Sequence, residues 1–304
     1  FLHLPVAIVN TIFATRKVNP NLLMCAGGVY YNGTAVIVAS KLFRIKNLVR
    51  SAEDHIGTSR LQTSFFRKLG HKYFIAPLSM FVLKTAENVL TVGEASRDYF
   101  ISCGVDSSRI FYAVSPVPIL KFKCTPKRNK SEVLHALGLD TTKKNLLYVG
   151  AISRVKGTHK LPEIISQIKE KSNDWQFLVI GHEQDVKQKI SKDLRKAGKS
   201  DIKIIEPQDH ADLVSYYKAA DALIFLCEVG VGYGLVTVEA ALADCPVICL
   251  NPKMDVATLH PNSPKNLEEL VTIVIEMRYK VPEVDSRFNK NNCYKQHLEV
   301  VEKI

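Results

Sequence analysis

Two segments of the chain combine glycine with charged side chains in the way that an anion site requires. The first runs from Gly150 to Gly157 and carries Arg154 and Lys156 between its terminal glycines. Lysine and arginine neutralise a diphosphate, and the N–H groups at the start of a following helix point at its oxygens. The segment therefore predicts a phosphate-binding loop, although a plain strand-to-helix loop with two surface cations has the same composition.

The second segment, residues 227–242, has glycine at three alternate positions, Gly230, Gly232 and Gly234. Glycine lets the backbone approach a ligand closely, and a helix predicted to begin near Leu235 would aim its free N–H groups into the same space. Glu239 follows one turn later among apolar residues, where a carboxylate is costly to bury without a partner. A pair of ribose hydroxyls is a suitable partner. The alternative is that Glu239 caps the loop backbone or pairs with a cation.

The elements that must position these segments follow from the hydrophobic pattern. Short apolar runs alternate with helical patterns, which is typical of βαβ units and parallel sheets. The predicted strands are residues 22–26, 47–50, 89–92, 110–114, 146–149, 177–180, 202–205, 222–226 and 247–250. Ligands bind beyond the carboxyl ends of parallel strands. The predicted fold is α/β, with two doubly wound parallel-sheet domains facing a cleft and both glycine segments at a binding edge.

A proline-rich, basic stretch at residues 115–130 interrupts this alternation, and we place the domain boundary near residue 128. The domains are then residues 1–128 and 129–304. Residues 1–130 hold 18 Lys and Arg against 6 Asp and Glu, whereas the remainder is almost neutral. A basic half suits an anionic membrane surface or a polyanionic partner. A solvated basic face without a partner explains the same balance.

The two glycine segments resemble the C-terminal domain of family 4 retaining glycosyltransferases, the group 1 type. Residues 215–226, SYYKAADALIFL, and 244–248, DCPVI, share the likeness, which extends from Asn145 to the end of the chain. The resemblance implies the GT-B fold of two Rossmann-like domains, with residues 288–304 as a closing helix. Residues 86–114 resemble the last βαβ unit of the N-terminal domain, and we expect this domain to be shortened.

The resemblance also implies roles for single residues. Lys156, aided by Arg154, would hold the donor diphosphate, and Glu239 would bind the nucleotide ribose. Donor contacts would come from Gly150, His182, Gly232, Tyr233, Gly234, Leu235 and Val236. On the acceptor side the candidates are Asp54 and His55, although a surface loop explains these residues equally well, and His182 also fits a position without a role at the donor.

Two positions depart from the family pattern. The first of the family's paired glutamates is replaced by Val231, and Glu228 is the nearest acid. The arginine that usually follows the first-loop glycine is replaced by Ala151.

The implied activity is transfer of a hexose from a nucleoside diphosphate sugar to a glycan or lipid hydroxyl, with retention and without a metal or other cofactor. These departures keep open a non-catalytic nucleotide- or glycan-binding protein on the same scaffold.

The remaining expectations concern location and partners. The seven cysteines are odd in number and scattered, the opening residues lack the features of a signal peptide, and apolar stretches are too short to span a membrane. We expect a cytoplasmic protein, peripheral on the inner face of a membrane through residues 65–74, FFRKLGHKYF, which mix aromatics with cations. The alternative is that Phe65, Phe66 and Phe74 pack into the domain core and the cations are only solvated. No nucleic-acid motif accompanies the basic half, so nucleic acid is not an expected partner.

Overall fold

The computed structural model describes residues 3–51, 65–119, 122, 128–183, 189–227, 232–250, 252, 254–260, 263–281, 283–284, 288 and 290–304. The chain divides into two compact units. The first comprises Phe1–Ser115, Gly230–Gly232 and Asn291–Ile304, and the second comprises Pro116–Val229 and Tyr233–Lys290. The division after Ser115 lies at the start of the proline-rich stretch, whereas the sequence placed the boundary at its end, near residue 128.

The first unit is built on a four-stranded parallel sheet with the order β1-β2-β3-β4. Its strands are β1 Leu22–Cys25, β2 Lys46–Arg50, β3 Asn88–Thr91 and β4 Ile110–Tyr112. Its helices before residue 115 are α1 His3–Val18, α2 Thr34–Phe43, α3 Phe65–Gly70, α4 Ala76–Thr85 and α5 Glu94–Ser102. Single π-helical turns occupy Val29–Gly33 and His71–Ile75, and Ser107–Arg109 is a 3₁₀ turn.

The second unit is built on a five-stranded parallel sheet with the order β7-β6-β5-β8-β9. Its strands are β5 Lys144–Val149, β6 Trp175–Ile180, β7 Ile202–Ile205, β8 Ala222–Phe225 and β9 Val247–Cys249. Its helices are α6 Lys130–Ala136, α7 Leu161–Lys171, α8 Lys189–Gly198, α9 His210–Ala219, α10 Leu235–Leu242, α11 Met254–Leu259 and α12 Leu267–Ile275. Thr158–Lys160 and Lys199–Asp201 are 3₁₀ turns. The strand order reverses between β5 and β8, so the switch point of the sheet lies at the carboxyl ends of these two strands.

Helix α7 shows how the pattern of the second unit produces its core. Leu161, Ile164, Ile165 and Ile168 are all buried, as their i, i+3, i+4, i+7 spacing predicts. They pack in one cluster with residues of the central strands, among them Leu146 and Trp175. Strand β6 is buried along its whole length, as expected for a parallel strand that is covered on both faces.

The last helix, α13 Lys290–Lys303, returns to the first unit. Val300 on this helix packs against Leu48, Leu90 and Ala113 of the four-stranded sheet. The side-chain amide oxygen of Gln296 also accepts a hydrogen bond of 3.2 Å from the backbone N–H of Val114.

All nine predicted strands are present, with ends that differ from the predicted ones by at most two residues. The predicted α/β class with two parallel-sheet domains is confirmed. The helix α1 was not predicted from the sequence. No helix in the described part of the chain has both the length and the apolar character needed to span a membrane.

Candidate functional site

The first glycine segment follows β5 and forms a tight turn. The backbone N–H of Lys156 and the hydroxyl of Thr158 both donate to the carbonyl of Ser153, at 3.2 and 2.9 Å. Gly157 has φ +73°, and a Cβ added there would lie 1.9 Å from the carbonyl oxygen of Leu226. Glycine is therefore required at the point where this loop meets the end of β8.

Arg154 and Lys156 project from this turn with exposed side chains. With the described residues, neither side chain forms an ion pair. A second contact joins this loop to the segment after β8, because the Cys227 thiol lies 3.6 Å from the carbonyl oxygen of Val155. Two exposed cations thus lie in a loop that is anchored to the end of the neighbouring strand.

The helix α10 begins at Leu235, where the sequence predicted it. Gly234 precedes it with φ +64°, and a Cβ there would approach the ring of Phe225 to 2.9 Å. The first N–H groups of a helix have no intrahelical partner and carry a partial positive charge. The backbone of Leu235 and Val236 therefore offers donors to an anion.

The neighbouring residues of this segment have different surroundings. The Tyr233 ring is buried, edge-on against Phe288 with ring centroids 5.1 Å apart, so its side chain belongs to the core. Gly232 belongs to the first unit, where a Cβ would approach Val92 to 2.9 Å. Only the backbone of these two residues is suited to a ligand.

Glu239 is 3% exposed, and among the described residues it has two partners, both on α9. The Tyr217 hydroxyl donates to Oε2 at 3.0 Å, and His210 Nδ1 lies 3.3 Å from Oε1. Burial raises the pKa of Glu239, while the Tyr217 hydrogen bond and the charge of His210 oppose that rise. Burial and the Glu239 carboxylate also raise the pKa of Tyr217 well above its usual range, so its hydroxyl remains a donor. Neither partner was predicted from the sequence.

A cavity of about 260 Å³ lies beyond the carboxyl ends of β5, β6 and β7. Its lining includes Gly150, Ala151, Gly181, His182, Pro207 and Gln208. A Cβ on Gly181 would lie 1.9 Å from the carbonyl oxygen of Gly150, so the two strand ends approach closely. The exposed His182 ring lies 3.5 Å from Glu206. Pro207 and Gln208 were not predicted from the sequence as site residues. Their position shortly after the predicted strand 202–205 is the signal that could have identified them.

Most of the predicted donor residues of the second unit lie after the carboxyl ends of its strands or in α10. Lys156 and Arg154 lie in the loop next to the end of β8, Gly150 and His182 line the cavity, and Glu239 lies one turn into α10. The other candidates, Glu228, Val231, Asp54 and His55, lie outside the described residues. Within the described ranges, no group of three or more His, Cys, Asp or Glu side chains is arranged to hold a metal ion.

Residues 129–292 match the family described as glycosyl transferases group 1. The chain belongs to this family. The match covers the whole five-stranded sheet and both glycine segments.

Two curated relatives match part of the chain. The chain is 26% identical over 170 residues to D-inositol 3-phosphate glycosyltransferase of Corynebacterium urealyticum, covering 53% of this chain and 40% of the relative. It is 28% identical over 131 residues to the lipopolysaccharide core biosynthesis mannosyltransferase LpsB of Rhizobium meliloti, covering 40% of this chain and 36% of LpsB. The chain thus aligns with about two fifths of each relative's length.

Solved structures resemble both units. HepE of Anabaena in complex with UDP has a TM-score of 0.75 at 17% identity, covering 98% of this chain and 82% of HepE. Sucrose-phosphate synthase from Thermosynechococcus elongatus has a TM-score of 0.68 at 18% identity, covering 99% of this chain and 73% of the synthase. At this level of identity the likeness shows the fold, which is GT-B.

Proposed function

We propose that this protein is a retaining glycosyltransferase that moves a hexose from a nucleoside diphosphate sugar to an acceptor hydroxyl, without a metal ion or other cofactor. One observation carries the proposal: the exposed cations Arg154 and Lys156 lie in a loop that packs on the end of β8, and the chain continues from there to the N-terminus of α10. The cations follow β5 and the helix N–H groups follow the adjacent strand β8. Together these groups suit a diphosphate.

The chemistry follows from where charge develops. Breaking the bond between the anomeric carbon and the diphosphate leaves negative charge on the phosphate oxygens. Lys156 and Arg154, with the N–H groups of Leu235 and Val236, would stabilise this charge on the leaving group, which is the main catalytic contribution. The backbone of Gly232, Tyr233 and Gly234 would allow close approach of the donor.

The rest of the donor would occupy neighbouring positions. Glu239 is assigned to the ribose hydroxyls, and Glu228 is the acid available to contact the sugar where the family has its first glutamate. The cavity beside Gly150 and His182 is lined mainly by apolar side chains, among them Val149 and Ile180, which suits a base. The bound UDP of HepE makes the uridine nucleotides the first donors to test.

The experiment is a turnover assay with purified protein. UDP-, GDP- and ADP-linked hexoses would be incubated with the protein, with and without a chelator, and release of the nucleoside diphosphate measured. We expect release from at least one donor, with the chelator causing no loss. Nucleotide binding without release from any donor would favour the alternative of a non-catalytic binding protein.

We also propose that the acceptor is a glycan or lipid and that the first unit binds an anionic membrane from the cytoplasmic side. On α1, the side chains Val6, Val9 and Phe13 form an exposed apolar stripe that ends at the cations Arg16 and Lys17. Tyr73 and Phe74, within the predicted interfacial segment, are also exposed, and Lys72 lies over the Tyr73 ring. The six described cysteines form no disulfide with one another, which suits a reducing compartment.

A further inference from the structure

Two side chains of helix α9 contact the Glu239 carboxylate, and the proposed donor site gives them no role. His210 and Tyr217 are seven residues apart on this helix, so they lie on one face two turns apart. Each meets a different oxygen of the Glu239 carboxylate, at 3.3 and 3.0 Å. The carboxylate is thus held at two points by a single rigid element.

A third side chain fixes both rings. Phe122 is fully buried, and its ring meets His210 edge-on with centroids 6.2 Å apart and an interplanar angle of 90°. The same ring meets Tyr217 at 6.0 Å and 59°. These are the arrangements that aromatic pairs favour, and they restrict how the two rings can rotate. Phe122 therefore fixes the geometry of both contacts to Glu239.

The Glu239 carboxylate can accept further hydrogen bonds in this arrangement. An ionised carboxylate accepts about four hydrogen bonds, and the described residues give Glu239 one hydrogen bond, from Tyr217, and one ion contact, with His210. Two adjacent ribose hydroxyls need two acceptor positions. A buried carboxylate without fixed partners would take up a proton or rotate, and it would then accept fewer of these bonds.

We propose that His210 is a positioning residue for nucleotide recognition: together with Tyr217 it holds Glu239 so that the carboxylate accepts hydrogen bonds from both ribose hydroxyls of the donor. The inference rests on the proposed role of Glu239 at the donor site. His210 acts through Glu239 rather than on the ligand. Its side chain is 62% exposed, so replacing it does not open a cavity in the core.

The test separates the ribose from the rest of the nucleotide. Affinities are measured by calorimetry for a nucleoside diphosphate and for its 2′,3′-dideoxy form, using whichever of the uridine, guanosine and adenosine compounds the wild-type protein binds. His210→Ala should weaken binding of the full nucleotide roughly 3- to 10-fold, the loss expected for one hydrogen bond. Binding of the dideoxy form should not change, because that compound lacks the groups that Glu239 contacts.

Three further variants sharpen the result. His210→Asn should retain most of the affinity, because the asparagine amide places a donor close to the position of histidine Nδ1. His135→Ala replaces another exposed histidine of the second unit and should bind both nucleotides as the wild type does. In the double variant His210→Ala, Glu239→Gln, the loss should equal that of Glu239→Gln alone, since residues that act through one group are not additive.

The outcomes distinguish this inference from the function on which it rests. Equal weakening of both nucleotides by His210→Ala would indicate a structural role and overturn the inference. The inference also fails if Glu239→Gln reduces discrimination between the two nucleotides but His210→Ala leaves it undiminished. If Glu239→Gln keeps full discrimination, the ribose assignment itself fails. Absence of binding to all three nucleoside diphosphates overturns both proposals.

Discussion

Gly157 is the residue on which the shape of the phosphate loop depends. Its positive φ and the 1.9 Å approach of a hypothetical Cβ to Leu226 exclude any side chain without movement of the backbone. We expect Gly157→Ala to lower the free energy of unfolding by about 1–3 kcal/mol and to weaken nucleotide binding, because the cation loop can no longer pack on β8.

The matched control is Gly70→Ala. Gly70 has helical backbone angles, and its Cβ would meet nothing within 4 Å. An alanine there should be neutral or stabilise the protein by about 0.4–1 kcal/mol. Urea denaturation of both variants makes the comparison, and equal stability of the two would contradict the role given to Gly157.

The second prediction for a single residue concerns Lys156. Lys156→Ala should weaken binding of a nucleoside diphosphate by roughly 1.5–3 kcal/mol, the usual loss for a hydrogen bond to a charged group. Lys171→Ala removes an exposed lysine at the end of α7 and should leave affinity unchanged. Calorimetry at fixed salt measures both. An unaltered affinity for Lys156→Ala would remove this residue from the diphosphate site.

His260 gives a pH dependence with a defined sign. Burial lowers its pKa from 6.5 to about 4. Between these pH values the unfolded chain binds a proton that the folded chain does not, so stability decreases as pH falls through this range. At 1.36 kcal/mol per pKa unit, the loss is up to about 3 kcal/mol. His260→Gln should show a shallower decrease between pH 7 and 4.5 in urea denaturation than His135→Gln. Equal decreases would contradict this assignment.

The residues around Glu239 show what the sequence can and cannot predict about single side chains. The cost of burying a carboxylate was evident from its apolar neighbours, and the structure confirms that Glu239 is buried. Its partners lie 22 and 29 positions earlier on another helix. A pattern of apolar residues assigns Tyr217 to the core but carries no information on which polar atom its hydroxyl meets.

At the scale of elements, the strands were predictable because each is an apolar run bounded by polar or turn residues. Parallel strands covered by helices need no other signal. Helix α1 was missed for the opposite reason. Its apolar side chains are spread around the helix, and Val6, Val9 and Phe13 are exposed rather than packed on a sheet. Apolar residues therefore occur on more than one face of α1, and the one-sided pattern typical of a helix packed on a sheet is missing from the sequence.

Helix α13 allows a test of an element by adjacent residues. Val300 is 5% exposed against the sheet of the first unit, whereas Val301 is 48% exposed. Val300→Asp should cost about 3 kcal/mol or more, because it buries a charge among apolar side chains. Val301→Asp should cost about 1 kcal/mol at most, because its carboxylate remains in water. Both place an anion in the last turn, so the penalty from the helix dipole is shared. Thermal unfolding compares them, and equal losses would contradict the packing of α13.

At the scale of the whole molecule, the sequence predicted two parallel-sheet domains and an uneven charge, and the structure gives two such units. The boundary was harder to predict from sequence. Prolines and cations at residues 115–130 indicate an interruption of regular structure, yet Val117 and Phe122 are buried within the second unit. A segment of linker-like composition can thus contribute core residues, and composition does not reveal this.

The charge balance and the exposed stripe of α1 lead to the last prediction, which concerns membrane binding. Each cation near an anionic surface contributes about 1 kcal/mol, and salt screens this attraction over about 8–10 Å. The protein should co-sediment with anionic vesicles at low salt and dissociate as salt rises. Phe13→Glu should reduce binding several-fold, because it places a charge at the most exposed apolar position of the stripe, where 69% of Phe13 is accessible. Val281→Glu makes the same charge change at an exposed valine of the second unit and should have little effect. Equal binding to neutral and anionic vesicles, or none at low salt, would show that the basic half is a solvated surface.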